Sequence, residues 1–203
     1  DTYAIVEEDK VRIRDYKSQI DRNKLKKKYT TEDFLRNLEL CASIRHLNRG
    51  MLPRAIQLLS KTNQFNLTTK RHNQETLNNM LIDSSYILLM LSLSDRFGDQ
   101  GEVGLCIATI DSKQEVSIDS FLLSCRAIGR GAEYALWDAL IKSVEETSCT
   151  IKAEYIATLK NTVTADFYTT VGMKVESREG GIVKYSMAMP ANTKTPDWIN
   201  VKT

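Results

Sequence analysis

The spacing of apolar and polar positions divides the chain into a helical beginning and a strand-rich remainder. Residues 4–28 are charged, with apolar residues at helical intervals, which predicts an amphipathic helix. Acids lie near its start and the lysine cluster 24–28 near its end, an order that suits the helix dipole. Thr30 and Asp33 resemble a capping box, which predicts a second helix over residues 34–40.

From residue 41 onward the pattern predicts alternating strands and helices. We expect strands over 41–47, 86–93, 103–110, 116–125 and 150–157, a hairpin over 175–189, and helices over 54–60, 74–82, 132–146 and 164–171. The polar run 61–69 is predicted as a loop and Pro190 onward as a tail. This order favours an α+β fold with a central mixed, mainly antiparallel sheet flanked by helices. We expect an amino-terminal helical extension or linker over 1–39, a main domain over 40–190 and a carboxy-terminal tail over 191–203.

Composition argues against some classes of function but does not specify one. The 203 residues include 28 basic and 26 acidic side chains, and this balance gives no support for nucleic-acid binding. No apolar run approaches the roughly 20 residues of a membrane-spanning helix. The four cysteines form no Cys-x-x-Cys pair, so we expect free thiols in the cytoplasm and no metal site. The chain opens on Asp1, without a secretory leader, and we expect it to be part of a longer protein.

The segment Arg126-Ala127-Ile128-Gly129-Arg130-Gly131 joins a predicted strand to a predicted helix. The first amides of a helix lack internal partners and lie at the positive end of its dipole. Two glycines let a phosphate approach the backbone, and two arginines add positive charge. Glycines also occur in such turns for steric reasons alone, so this pattern leaves both interpretations open.

The same segment carries a resemblance to a known fold. Arg-x-x-Gly-x-Gly after the fourth strand resembles the pyrophosphate loop of the GCN5-related N-acetyltransferase fold, and residues 161–173 are similar to its second signature. The resemblance implies that coenzyme A, or the phosphopantetheine of an acyl carrier protein, binds this loop. It further implies that Asn161 contacts the pantetheine arm and that Tyr168 protonates the leaving thiolate. The phosphate would be held by Arg126, Ile128, Gly129, Arg130 and Gly131.

Three longer segments resemble a narrower group within that fold. Residues 61–71, 95–104 and 118–133 are similar to the carboxy-terminal part of FkbH-like proteins. This resemblance implies transfer of a glyceryl unit to an acyl carrier protein in polyketide or secondary-metabolite biosynthesis. It also implies an upstream phosphatase-like domain. No Asp-x-Asp-x-Thr/Val motif precedes residue 40, so phosphatase activity is not expected of this chain.

Several side chains are candidates for the site. Cys125 precedes Arg126, and a cation with a nearby helix N-terminus favours the thiolate form that the implied thioester intermediate requires. A small buried side chain is the alternative role for this cysteine. Asp119 lies six residues earlier, too far for direct contact, and either binds a substrate hydroxyl or faces solvent. Amides and hydroxyls suited to a polyhydroxylated acyl group crowd one predicted loop, namely Asn63, Gln64, Asn66 and Thr68.

These features leave three functional hypotheses. The first is an acyltransferase that moves a glyceryl or similar group onto a carrier-protein thiol, through a thioester on Cys125. The second is an acyl-coenzyme A-dependent N- or O-acetyltransferase that needs no cysteine. The third is a non-catalytic module that docks a carrier protein. A shared fold does not choose among them.

Overall fold

The computed structural model describes residues 16–27, 29–144, 149–189 and 193–202. These residues form one mixed sheet with helices on both faces, as the sequence pattern predicts. The strands are β1 Leu40–His46, β2 Phe65–Asn66, β3 Tyr86–Asp95, β4 Gly98–Ile110, β5 Glu115–Leu123, β6 Thr150–Ile156, β7 Lys174–Glu179, β8 Ile182–Ala188 and β9 Ile199–Lys202. Their order across the sheet is β7-β8-β6-β5-β4-β3-β1-β9, with β2 added to β5.

The helices pack on the sheet through apolar faces. They are α1 over residues 16–27, α2 Thr31–Asn37, α3 Leu52–Lys61, α4 Gln74–Ile82, α5 Ala132–Val144 and α6 Phe167–Thr170. Helices α3 and α4 cover one face of the sheet, and α5 and α6 pack on the other. Burial of these two clusters supplies the main driving force for the fold.

Strands β5 and β6 define the part of the fold that matters most for the site. They pair in parallel only at their beginnings, from Glu115 opposite Thr150 to Ser117 opposite Lys152. Beyond this point no β5–β6 pairing is recorded for the described residues, and β2 pairs with the free edge of β5. The gap between two parallel strands is thus filled by a third segment of the same chain.

Three element predictions need correction. The run 61–69, predicted as a loop, contains strand β2, because its backbone pairs with β5. The predicted carboxy-terminal tail contains strand β9, which runs parallel to β1 at the sheet edge. The strand predicted to end at Cys125 ends at Leu123, so Cys125 lies in the turn that follows it.

Helix α1 is fixed to the sheet by a buried ion pair. Arg22 donates from Nε and Nη2 to the two carboxylate oxygens of Asp95, at 2.6 and 2.9 Å, and the Asp95 side chain is fully buried. The Asp95 carboxylate also accepts from the amide of Phe97 at 2.9 Å and from Gln100 Nε2 at 3.2 Å. This buried ion pair therefore connects α1 to the β3–β4 hairpin. The part of the predicted extension in residues 1–15 lies outside the described residues.

Candidate functional site

A cavity of about 420 Å³ lies where β5 ends and the turn toward α5 begins. Helix α3 forms one wall, and the turn with Cys125 and Arg126 forms another. Cys125 and Arg126 are both exposed. Asn63 and Gln64 also line this cavity. Four of the residues predicted for the site are thus brought together around one opening.

The cavity is positively charged. Its lining includes Arg54, Lys61 and Arg126, and no acid is among the described residues that line it. Arg54 is fixed because its Nε and Nη2 donate to the main-chain oxygen of Glu102, at 2.9 and 2.7 Å. Burial lowers the pKa of Arg54, and repulsion from Arg126 lowers it further. Two guanidinium groups that repel each other favour an anion between them.

Sequence reasoning missed Arg54 and Lys61, and a signal for them was present. Arg54, Gln57 and Lys61 recur at intervals of three and four residues along α3. This spacing aligns side chains on one helix face, and all three line the cavity. The polar face of α3, opposite its buried leucines, could therefore have been predicted as a wall of the site.

The turn before α5 offers a backbone site for an anion. Gly129 has a φ of +75°, and a Cβ built there would meet nothing within 4 Å. Gly131 has a φ of +84°, and its Cβ would lie 3.1 Å from Cγ of Pro196. The backbone is therefore open at Gly129 and covered by the carboxy-terminal segment at Gly131. The side chain of Ile128 is partly buried and packs against the core.

The Arg130 side chain is held by contacts within the protein. Its Nη1 donates to Gln100 Oε1 at 2.9 Å and lies 3.5 Å from Asp95 Oδ2, and only 11% of its side chain is exposed. Burial lowers the pKa of Arg130, with repulsion from Arg22 adding to the effect. Its main-chain oxygen accepts from Trp198 Nε1 at 2.9 Å. Of the two arginines predicted to hold phosphate, Arg126 is the one available at the surface.

The route from this loop toward Asn161 is occupied by the chain itself. Leu67 donates its amide to the Phe121 oxygen at 3.1 Å, and its own oxygen accepts the Ile156 amide at 2.8 Å. Leu67 thereby bridges β5 and β6, and it is fully buried. The gap between the two strands holds protein backbone along this stretch.

The side chain of Asn161 is fully engaged inside the protein. Its Nδ2 donates to the main-chain oxygens of Asn66 and Ile156, at 2.8 and 2.9 Å. Its Oδ1 accepts from Tyr155 Oη at 3.1 Å and from the Thr158 amide at 2.8 Å. Asn161 is 0% exposed, so no atom of this amide faces a ligand.

Tyr168 is placed equally deep. It is 1% exposed and packs against Trp137 and Tyr185. Its hydroxyl is a buried group without a hydrogen-bond partner among the described residues. Burial raises the pKa of Tyr168 well above its ordinary value. The hydroxyl stays protonated, but it is enclosed by protein and does not line the cavity at Cys125.

Asp119 lies at a second cavity, away from Cys125. This cavity of about 430 Å³ lies along β5, β6 and β8, and Asp119 occupies an irregularity in the pairing of β5 with β4. The carboxylate accepts from His72 Nε2 at 2.6 Å, if that nitrogen carries the proton, and from Lys70 Nζ at 2.9 Å and Ser120 Oγ at 2.8 Å. Burial raises the pKa of Asp119, but these hydrogen bonds outweigh burial and the net pKa is lowered. His72 is a further partner of Asp119 that the sequence pattern did not predict.

Asn66 and Thr68 also make internal contacts rather than lining the cavity at Cys125. Asn66 is 0% exposed, with Oδ1 accepting from the Thr69 amide at 2.8 Å. Thr68 is 2% exposed and donates to the main-chain oxygen of Asp119 at 2.8 Å. The polar run 61–69 is therefore divided between a cavity wall at Asn63 and Gln64 and a buried strand.

Within the described ranges no cluster of three or more His, Cys, Asp or Glu residues could hold a metal ion. None of the helices in the same ranges combines the length and apolar character needed to cross a bilayer.

Solved structures similar to this chain include acetyltransferases. One similar structure is the ribosomal-protein-S18-alanine N-acetyltransferase from Escherichia coli, with a TM-score of 0.57, 13% identity, and coverage of 76% of this chain and 98% of that chain. Another is the spermidine N-acetyltransferase from Vibrio cholerae in complex with CoA and spermine, with a TM-score of 0.57, 13% identity, and coverage of 74% of this chain and 96% of that chain. No protein-family model and no curated protein matches the sequence. The chain therefore has the GCN5-related N-acetyltransferase fold, as its motifs indicated.

The residues present fit only part of coenzyme A. Exposed Arg126 and the open backbone at Gly129 fit a phosphate. The gap between β5 and β6 does not fit a pantetheine arm, because Leu67 and Asn66 already use its hydrogen-bonding groups. The turn before α5 thus leaves room for a phosphate, whereas the gap between β5 and β6 is filled by protein.

Proposed function

We propose that this domain is an acyltransferase that exchanges a small acyl group between Cys125 and the thiol of a phosphopantetheine arm. The observation that carries the proposal is the clustering of Cys125 with Arg126, Arg54 and Lys61 at one cavity. The cations would hold the phosphate, and the arm would lie in the cavity. The partner that supplies the arm is an acyl carrier protein.

The chemistry balances without a further reactant. The Cys125 thiolate attacks the carbonyl carbon of an acyl thioester, and the carbon–sulfur bond to the arm breaks. The arm leaves as a thiolate and takes up one proton, equal to the proton that Cys125 released. The reverse step on a second arm returns the acyl group to a carrier thiol. Each step exchanges one thioester for another.

The acyl group we propose is glyceryl or a similar small hydroxyacyl group. Asn63 and Gln64 line the cavity beside Cys125, and side-chain amides both donate to and accept from hydroxyl groups. The resemblance of residues 61–71 to FkbH-like proteins supports the same choice. An upstream phosphatase-like domain that delivers the glyceryl unit belongs to this proposal as well.

Intact-protein mass spectrometry tests the covalent step. The chain is mixed with a glyceryl thioester of a carrier protein, and the glyceryl mass gain is followed over time. Cys125→Ala should abolish the gain, whereas Cys41→Ala, which removes a partly buried thiol elsewhere, should keep it. A gain that persists in Cys125→Ala would overturn the role of Cys125.

A matched pair of charge variants tests the phosphate site. Arg126→Ala should weaken binding of free coenzyme A, and added salt should weaken wild-type binding because the cations are near the surface. Lys113→Ala removes an exposed charge in the β4–β5 turn and should leave the affinity unchanged. Equal affinities of the two variants would argue against the cavity as the phosphate site.

A second candidate is an acyl-coenzyme A-dependent N-acetyltransferase, which the fold favours. It predicts transfer from acetyl-coenzyme A to an amine at equal rates in wild type and Cys125→Ala. Rates measured with acetyl-coenzyme A and with a glyceryl carrier thioester, on the same two proteins, separate the two candidates.

A further inference from the structure

We infer that strand β2 permanently takes the position of the pantetheine arm between β5 and β6, so that an arm can reach this domain only along the surface that leads to Cys125. The inference rests on the proposed arm-binding function and states which path the arm follows. It depends on three sets of contacts: backbone pairing, core packing, and anchors at Asn66 and the residues that follow it.

The backbone of β2 fills the hydrogen-bonding positions of the gap. Phe65 is paired with Leu123 and Asn66 with Leu122, and the Leu67 amide donates to the Phe121 oxygen at 3.1 Å. On the opposite side the Ile156 amide donates to the Leu67 oxygen at 2.8 Å. A pantetheine arm, which has amides of its own, would need these same groups. Displacing the strand would leave buried donors and acceptors on both neighbours without partners.

The side chains of Phe65 in β2 and of Leu67 just after it belong to the core. Phe65 is 5% exposed and contacts the rings of Phe121 and Phe167, with centroids 6.3 and 5.5 Å apart. Leu67 is 0% exposed within the same apolar cluster. A surface loop can open easily when it buries little apolar surface. This segment, by contrast, buries two large apolar side chains almost completely. Its packing is that of a structural strand.

The segment is anchored at Asn66 and at the residues that follow it. Asn66 accepts from Asn161 Nδ2 through its main-chain oxygen at 2.8 Å. Asp119 holds the following residues, because its main-chain oxygen accepts from Thr68 at 2.8 Å and its carboxylate contacts Lys70 and His72 at 2.9 and 2.6 Å. These contacts give Asn161 and Asp119 positioning roles toward β2.

This arrangement changes which side chain the thiol can meet. Tyr168 lies among core aromatic rings with its hydroxyl enclosed, while Cys125 is exposed at the cavity. With the gap closed, the arm has no path to Tyr168, and Cys125 is the exposed thiol at the cavity that remains open. The geometry thus favours exchange between two sulfurs over a thiolate protonated by Tyr168.

Residue-resolved amide hydrogen exchange on the wild-type chain, with and without saturating free coenzyme A, tests the inference. The amides of Leu67 and Ile156 report on β2, since each donates across the gap. We expect their exchange rates to change by no more than about twofold, while amides of residues 128–131 slow on binding. Arg126→Ala serves as the control that removes the slowing in the loop.

The outcomes separate the inference from the proposed function. Faster exchange of Leu67 and Ile156 on binding would mean that the strand leaves the gap, and it would overturn the inference while leaving acyl transfer through Cys125 open. Protected strand amides with a slowed loop would support both statements. Protected strand amides with no coenzyme A bound would support the closed gap and contradict the proposed phosphate site.

Discussion

The side-chain amide of Asn161 donates to the main-chain oxygen of Asn66 at 2.8 Å, and this one contact joins the segment after β6 to the strand that fills the sheet. In the fold that this chain resembles, an asparagine at this position contacts a pantetheine arm. Here the same donor is satisfied by a peptide group of the protein. Asn161 is therefore expected to contribute to stability rather than to ligand affinity.

Replacing Asn161 tests that expectation. Asn161→Ala leaves several buried groups without partners, including the oxygens of Asn66 and Ile156, and should cost about 2–4 kcal/mol of unfolding free energy. Asn63→Ala removes an amide that lines the open cavity and should change stability by less than about 0.5 kcal/mol. Urea unfolding of both variants measures the difference. A stable Asn161→Ala variant that has lost coenzyme A affinity would contradict this assignment.

The sequence predicted the sheet, most helices and the glycine-containing turn before α5 because those signals are local. Helix α4 matches its predicted bounds, and α6 lies within the range predicted for it. Strand β2 was missed because the residues in and around it, Asn66 and Thr68 among them, are typical of loops and caps. Their partners, Asn161 and Asp119, lie 95 and 51 positions away in the chain. Local patterns carry no information about partners at that distance.

The candidate site was predicted in part for the same reason. Cys125 and Arg126 are neighbours in sequence, and their exposure follows from the end of β5. An arginine such as Arg130 commonly binds phosphate. Here, however, Asp95 and Gln100 of the β3–β4 hairpin contact its side chain. Whether a cation binds a ligand or a buried carboxylate depends on tertiary contacts.

Two tyrosines provide a matched pair for the enclosed core. Tyr168→Phe removes a buried hydroxyl without a partner among the described residues, so the free energy of unfolding should stay equal or rise by about 1 kcal/mol. Tyr155→Phe removes a hydroxyl that donates to Asn161 Oδ1 at 3.1 Å and should cost about 1 kcal/mol. Thermal or urea unfolding separates the two.

Tyr168→Phe also tests whether Tyr168 acts as a general acid in acyl transfer. Because Tyr168 is enclosed, acyl transfer by Tyr168→Phe should match the wild-type rate. If Tyr168 acted as the general acid, its loss would reduce the rate by roughly 10²–10⁴-fold. A loss of that size in a fully folded Tyr168→Phe variant would restore its assignment as the acid.

The buried ion pair of helix α1 should be important for stability. Asp95→Ala leaves the buried guanidinium groups of Arg22 and Arg130 without their carboxylate, and it should cost about 3–5 kcal/mol of unfolding free energy. Asp197→Ala breaks an exposed pair with Arg36 and should leave stability nearly unchanged. Urea unfolding compares them, and equal effects would refute the importance of burial for the Asp95 pair.

The contacts of Asp119 make stability depend on pH in an acidic window. Its pKa is lower in the folded protein than the ordinary value of 3.8, because hydrogen bonds from His72, Lys70 and Ser120 outweigh burial. The unfolded chain then binds more protons than the folded one, so stability falls as pH falls. The contribution of Asp119 is complete above the ordinary value and is lost as pH decreases through the folded value.

Urea unfolding at several pH values between about 7 and 2 measures this contribution. Asp119→Asn should be less stable than wild type at neutral pH and should lose less of its remaining stability on acidification, because the titrating group is gone. Lys70→Met keeps Asp119 but removes one donor and should give an intermediate slope, since His72 and Ser120 still favour the carboxylate. If Asp119→Asn keeps the wild-type slope, other carboxylates control the acid response, and the anchor at Asp119 contributes little to holding β2.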